Sequence, residues 1–275
     1  KRWGTCFLLK IGGEGLMIDC GPGSSYKMYQ MGVSPTEINH LFFTHLHSDH
    51  ISDLPCLLMT HFDQSVGTEP DLQMYGPPPF QDVAERVWSE ERGVFWYDVV
   101  ARVNHPMSVH AFHSRGGVGE RPAPVVGIHE YSEGKVASGK HWECFAREVQ
   151  HAQPYLNCFG FRFETDEGVI AFSGDTAPVD SVVELARDAD LLVQNVMELE
   201  SVIRTVPEGE TMTGNTGAGK IAAAAGAKRL LANHQAPGQF EELDNEARAI
   251  AEVKAEFAGE LFWAQDFTEI EWVTP

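Results

Sequence analysis

Apolar positions in this chain come in short runs bounded by Gly, Pro, Asn or Asp, and the spacing within each run predicts an element. "TCFLLKI" (5–11) and "GLMID" (15–19) flank "GGEG" and predict a hairpin. "HLFFT" (40–44) is a continuous apolar run, a short buried strand. In "PFQDVAERVWSEE" (79–91), Phe80, Val83, Val87 and Trp88 recur at helical spacing behind Pro79. "NCFGFRFE" (157–164) alternates, with Phe159, Phe161 and Phe163 on one face. "GVIAFSGD" (168–175) follows after a tight turn, completing a hairpin that delivers Asp175 at its exit.

Beyond that point the periods alternate between helix and strand. Helices are predicted over 178–189, 216–227 and 243–257, the last with Ala247, Ile250, Ala251 and Phe257 on one stripe. Strands are predicted over 190–196, over 228–234 ending on His234, and over 267–273. Residues 98–145 are less regular and rich in Gly, Pro and His, which suits a variable, substrate-shaping insertion. The histidines there read as surface residues. Strands and helices mix in both halves. The expected class is therefore α/β (α+β), two packed sheets with helices outside, in one domain over 1–275.

Charge narrows the partners. Forty acidic against 20 basic residues give a formal charge of −20, which repels phosphate backbones, and no Lys/Arg block offsets it. The expected partner is a small molecule, with no nucleic acid. No apolar stretch reaches the roughly 18 residues of a membrane span, so no membrane partner is expected. The five cysteines show no C-x-x-C spacing and read as buried apolar thiols. Lys1 opens the chain, so the expectation is that it begins after the true N-terminus; cytoplasmic and periplasmic locations both stay open.

The strongest chemical signal is "FFTHLHSDHISD" (42–53), in which His45, His47, Asp49 and His50 crowd the exit of a strand. Imidazole nitrogen and carboxylate oxygen both suit zinc. Four such donors exceed one open catalytic site, so two metals are the economical reading. The alternative is a surface histidine cluster without metal. His151, Asp175 and His234 also follow apolar or alternating segments, so all can converge on one edge of the sheets.

With these residues in view, the chain resembles a metallo-β-lactamase superfamily hydrolase of the ribonuclease Z-like branch. The resemblance rests on "LMIDCGPG" (16–23), "THLHSDH" (44–50), "VQHAQPYLNCFGFRFE" (149–164), "FSGDT" (172–176) and "LLANHQAP" (230–237), in the family's order. It implies a four-layer αβ/βα sandwich with a dinuclear zinc site at the sheet edges. It further implies that His45, His47 and His151 hold one metal, that Asp49, His50 and His234 hold the other, and that Asp175 bridges them. Asp19 resembles the aspartate that orients a ligand histidine. Two zinc ions per chain are expected, though one ion, or manganese, iron or cobalt, also suits such donors. A homodimer is expected by resemblance.

Two departures from the family pattern shape the expected substrate. Members that process tRNA resemble "H-E-A-T" where this chain has Gln194, Asn195, Val196 and Met197. They also carry "G-H-S-T", whose histidine protonates the leaving group, where "TMTGN" (211–215) puts Met212. General acid help is worth about 10²–10⁴ in rate, so a chain without it suits a leaving group stable as an anion. The expected function is thus zinc-dependent hydrolysis of an ester, lactone, aryl sulfate or activated aryl halide by metal-bound hydroxide, a hydrolytic dehalogenase included. The alternatives are a ribonuclease Z-like phosphodiesterase that processes tRNA 3′ ends, and an inactive metal-binding scaffold. Asp49 and Asn195 are the expected catalytic side chains. Phe62, Trp96 and Asn195 are the expected substrate contacts.

Overall fold

The computed structural model describes residues 4–236, 238, 240 and 243–272. They divide into two compact units, residues 4–131 and the described residues from 132 onward, each built on one mixed sheet. Two sheets with attendant helices are the make-up of the αβ/βα sandwich class expected from the sequence.

The first unit holds strands β1 (Phe7–Ile11), β2 (Glu14–Ile18), β3 (Ile38–Phe42), β4 (Leu72–Gly76) and β5 (Val126–Glu130), in that spatial order. β1 and β2 form the predicted antiparallel hairpin, Phe7 opposite Ile18. β2, β3, β4 and β5 then run parallel, so β2 and β3 both point their carboxyl ends at one sheet edge. Asp19 follows β2 and the histidine-rich loop follows β3, so topology alone brings the two segments together. Met17, Leu41, Phe43, Leu57, Met74 and Phe80 form the core of this unit, all fully buried.

The second unit holds β6 (Gly134–Ser138), β7 (Trp142–Glu148), β8 (Phe159–Thr165), β9 (Gly168–Phe172), β10 (Leu191–Asn195), β11 (Arg229–Asn233) and β12 (Glu260–Trp263). Their order is β12-β11-β10-β9-β8-β7-β6. The strands from β9 to β12 pair in parallel, and β7 and β9 each pair antiparallel with β8. The carboxyl ends of β7, β9 and β11 therefore share an edge, and the segments carrying His151, Asp175 and His234 leave from them. The core gathers Ala171, Val182, Leu192, Ile221, Leu230 and Val253 against this sheet.

Three sequence expectations need correction. Residues 98–145 are regular: helices Trp96–Asn104 and Pro106–Ser114 precede β5, β6 and most of β7. Pro106 opens the second helix, where a missing N–H costs nothing. The closing strand lies at Glu260–Trp263 rather than 267–273. Residues 267–272 leave the sheet because the Trp272 indole is engaged elsewhere, donating to the Glu167 carbonyl at 2.8 Å beneath the Arg229 guanidinium. Residue 273 lies outside the described residues. The helix predicted over 79–91 stops at Val87. Among the described residues no helix is long and apolar enough to cross a membrane.

Candidate metal centre

A buried carboxylate organises the histidine-rich loop. Asp19 is 1% exposed and sits at φ 58, a left-handed conformation that costs a non-glycine residue of order 1 kcal/mol or more. Its backbone N–H donates to the Phe42 carbonyl at 2.7 Å, which fixes it beside the end of β3. Its Oδ1 accepts the Thr44 N–H at 2.8 Å, and its Oδ2 accepts the Thr44 hydroxyl at 3.0 Å and the His50 Nδ1–H at 2.8 Å. That last bond puts the proton of His50 on Nδ1 and frees Nε2 as a lone-pair donor. Thr44 Oγ1 also lies 3.1 Å from His45 Nδ1 and, having given its proton to Asp19, accepts there. His45 thus also presents Nε2.

Backbone bonds hold the loop on the Asp19 segment. Cys20 N–H donates to the His50 carbonyl at 2.7 Å, Asp53 N–H to the Cys20 carbonyl at 3.0 Å, and Thr5 N–H to the Asp49 carbonyl at 3.1 Å. Gly21 is required here, because a Cβ on it would collide with the Asp49 carbonyl oxygen. After His47 the chain turns into a short helix, Ser48–Ile51. Helical rotation, in place of strand alternation, sends the Asp49 and His50 side chains in different directions.

The second unit carries three further donors. His151 lies in the turn after β7, and its Nδ1 donates to the Thr211 carbonyl at 3.1 Å, leaving Nε2 as the donor atom. Asp175 follows Gly174 at the exit of β9, 5% exposed as a side chain. His234 directly follows β11 at φ 57, again left-handed, which turns the chain off the strand direction. Its Nε2 lies 3.2 Å from Asp175 Oδ2, and His151 Nε2 lies 3.9 Å from the same oxygen. In the first unit His45 Nε2 and His47 Nδ1 are 2.9 Å apart, and His50 Nε2 and Asp49 Oδ2 are 3.7 Å apart.

These separations fit metal donors. Two ligand atoms each 2.0–2.1 Å from one ion stand about 2.8–3.4 Å apart in octahedral or tetrahedral geometry. The His45–His47 and Asp175–His234 pairs fall in that range and the other two lie slightly above it. The histidines whose far nitrogen is anchored present the lone pair a metal needs. These His and Asp side chains have the donor chemistry and spacing that metal ions take.

The positions that depart from the family pattern cluster in the second unit. Gln194 Nε2 donates to Asn195 Oδ1 at 2.7 Å, and Asn195 Nδ2 donates to the Thr176 carbonyl at 3.2 Å and touches Met212 Sδ at 4.0 Å. All three residues are at most 2% exposed. Asn195 therefore braces the segment just after Asp175. Phe62 is buried in the first unit's core, and Trp96 packs edge-on against Trp88. Thr44, inside the quoted motif, was passed over in the sequence, because a threonine beside histidines carries no metal signal of its own. The Thr211 carbonyl is a backbone group and leaves no signal at all.

Asp19→Asn is expected to keep the fold but weaken metal binding by about 10–100-fold, since the amide NH₂ replaces one acceptor oxygen and must face either the Thr44 N–H or the Thr44 hydroxyl and His50 Nδ1–H. Chelator competition against the isolated protein measures it; unchanged affinity would contradict the role given to Asp19.

The sequence profile of the Metallo-beta-lactamase superfamily matches residues 4–208. A protein named Ribonuclease Z from Mycobacterium marinum is 27% identical over 98% of this chain and 92% of its own length. Another from Mycobacterium sp. (strain KMS) is 30% identical over 90% and 84%. Among solved structures, the metallo-beta-lactamase fold protein YhfI from Bacillus subtilis superposes with a TM-score of 0.72 at 18% identity, covering 96% of this chain and 90% of that one. The short form of human tRNase Z gives 0.69 at 21% identity, covering 98% and 93%. The ribonuclease relatives overturn the expectation of a small-molecule partner and no nucleic acid. Net charge misled because it sums the whole surface, whereas a phosphate meets the local field, and bound cations dominate that field at a metal centre. The chain belongs to the metallo-β-lactamase superfamily, in its ribonuclease Z-like branch.

Proposed function

We propose that this chain is a metal-dependent, ribonuclease Z-like phosphodiesterase that cleaves RNA, with a pair of zinc ions held by seven side chains. The observation that carries the reading is similarity to Ribonuclease Z over 98% of the chain. The donors in this reading are His45, His47, Asp49 and His50 from the first unit and His151, Asp175 and His234 from the second. Such ions, when bound, bring a water to its proton-loss range near neutral pH and offset charge building on a phosphoryl group.

The protein's own part is orientation. Asp19 and Thr44 fix the rings of His45 and His50, and the Thr211 carbonyl fixes His151, so the donors are set before substrate arrives. Asn195 and Thr213 both hold the Thr176 carbonyl, at 3.2 and 2.7 Å, and so pin the residue next to Asp175. With a net charge of −20 the surface disfavours long tracts of phosphate, so the engaged substrate is a short RNA end.

The direct test is incubation of the zinc-loaded chain with a precursor tRNA carrying a 3′ trailer. Cleavage that chelator abolishes is expected, with a log–log salt slope of about −2 or shallower, equivalent to about three phosphates. Absence of cleavage of this and other RNAs by the loaded protein would defeat the reading.

The buried Gln194, Asn195 and Met212 offer no proton to a departing oxygen. Restoring the family residues with Met212→His, and with the triple change Gln194→His, Asn195→Glu and Met212→His, is expected to raise turnover at least tenfold, against an upper range of about 10²–10⁴ for general acid help. Unchanged turnover in both folded variants would contradict this account of the missing donor.

A further inference from the structure

The turn that carries His151 holds an aromatic ring out in solvent. Tyr155 is 89% exposed, the most exposed Tyr, Phe or Trp among the described residues. One exposed tyrosine needs no explanation by itself. Its backbone, its surroundings and its distance from His151 give this one a use.

The backbone under the ring is fixed. The Tyr155 and Leu156 N–H groups both donate to the Ala152 carbonyl, at 3.0 and 3.2 Å. The Gln153 side chain ties the turn to the strand before it. Its Oε1 accepts the His151 N–H at 2.8 Å, and its Nε2 donates to the Val149 carbonyl at 2.6 Å. Ala152 and Leu156 pack against the core of the second unit. The turn is therefore held from within, while Pro154 and Tyr155 stay exposed on it.

The surroundings are poor in charge. Residues 149–161 include no Asp, Glu, Lys or Arg, although these four types make up 22% of the chain. Carboxylates begin at the margin. Glu148 precedes the stretch, and the Glu210 carbonyl accepts from Gln150 Nε2 at 3.0 Å. Such a surface offers no cation to a phosphate. A nucleobase is uncharged and has a flat π-face, so it stacks on tyrosine whatever its sequence.

The ring is also close to a metal donor. A four-residue turn from Ala152 to Tyr155 keeps their Cα atoms within about 7 Å, and His151 is one step of about 3.8 Å away. The Tyr155 Cα thus lies within about 11 Å of the His151 Cα.

We propose that Tyr155 is a substrate-binding residue on which a base of the RNA near the cleaved phosphodiester stacks. The inference rests on the ribonuclease reading and adds a residue to it. It supplies what a net charge of −20 withholds, because stacking gains affinity without neutralising phosphates.

The test is steady-state cleavage of a precursor tRNA with a 3′ trailer by the zinc-loaded full chain and its variants. Tyr155→Ala is expected to raise KM by about 5–150-fold, the range for one lost base stack, with kcat held. Tyr155→Phe keeps the π-face and is expected to keep KM. A single abasic nucleotide, stepped through the positions on either side of the cleavage site, identifies the partner. At one position it is expected to raise KM for the wild type and to leave Tyr155→Ala unaffected. An unchanged KM in Tyr155→Ala, an equal rise in Tyr155→Phe, or independent effects of Tyr155→Ala and the abasic nucleotide at every position would overturn the stacking role. Those results leave the ribonuclease reading standing, whereas a wild type that cleaves no RNA overturns both.

Discussion

The Asp19 carboxylate, buried at the end of β2 and saturated by Thr44 and His50, is the constraint on which the metal centre rests. It converts a flexible histidine-rich loop into a set of fixed lone pairs. Without it the His50 tautomer is undefined, Thr44 is free to rotate, and the ring of His45 loses its anchor through Thr44 Oγ1. The cost is visible as backbone strain, since Asp19 and His234 both adopt left-handed conformations that non-glycine residues rarely hold. Such strain persists only where surrounding bonds over-determine it. Around Asp19 those bonds are the Phe42 carbonyl, Thr44, and the Cys20–His50 link one residue on.

The two units solve the same problem by one device. Each runs several strands in parallel, so that the residues following those strands emerge at a common edge. In the first unit the device gathers Asp19 with His45 to His50; in the second it gathers His151, Asp175 and His234. Donor pairs inside each unit already stand at separations close to those that ligands of one ion adopt. The exposed Tyr155 ring follows a different logic, an apolar face left uncovered in the turn that carries His151.

Much of this was legible from residue order. Alternation of Phe159, Phe161 and Phe163 marked β8, and the H-x-H-x-D-H spacing marked the loop, because those patterns are local. The helices Trp96–Asn104 and Pro106–Ser114 were missed since the stretch, rich in Gly, Pro and His, shows no clear period, and the packing that secures them is tertiary. The closing strand was misplaced because alternation in "FTEIEWV" mimics a strand while the Trp272 contact with Glu167 draws the chain away. The donors were legible; the Thr211 carbonyl and the Thr44 relay were not, being backbone and geometric. The partner class was misjudged because composition reports the sum of charges and not their placement.

The central claim is tested most directly by titrating metal-stripped protein with zinc while following stoichiometry and RNA cleavage together. The account predicts two ions bound per chain, with cleavage appearing only as the sites fill. Saturation without a second ion, or cleavage by the stripped protein, would contradict it.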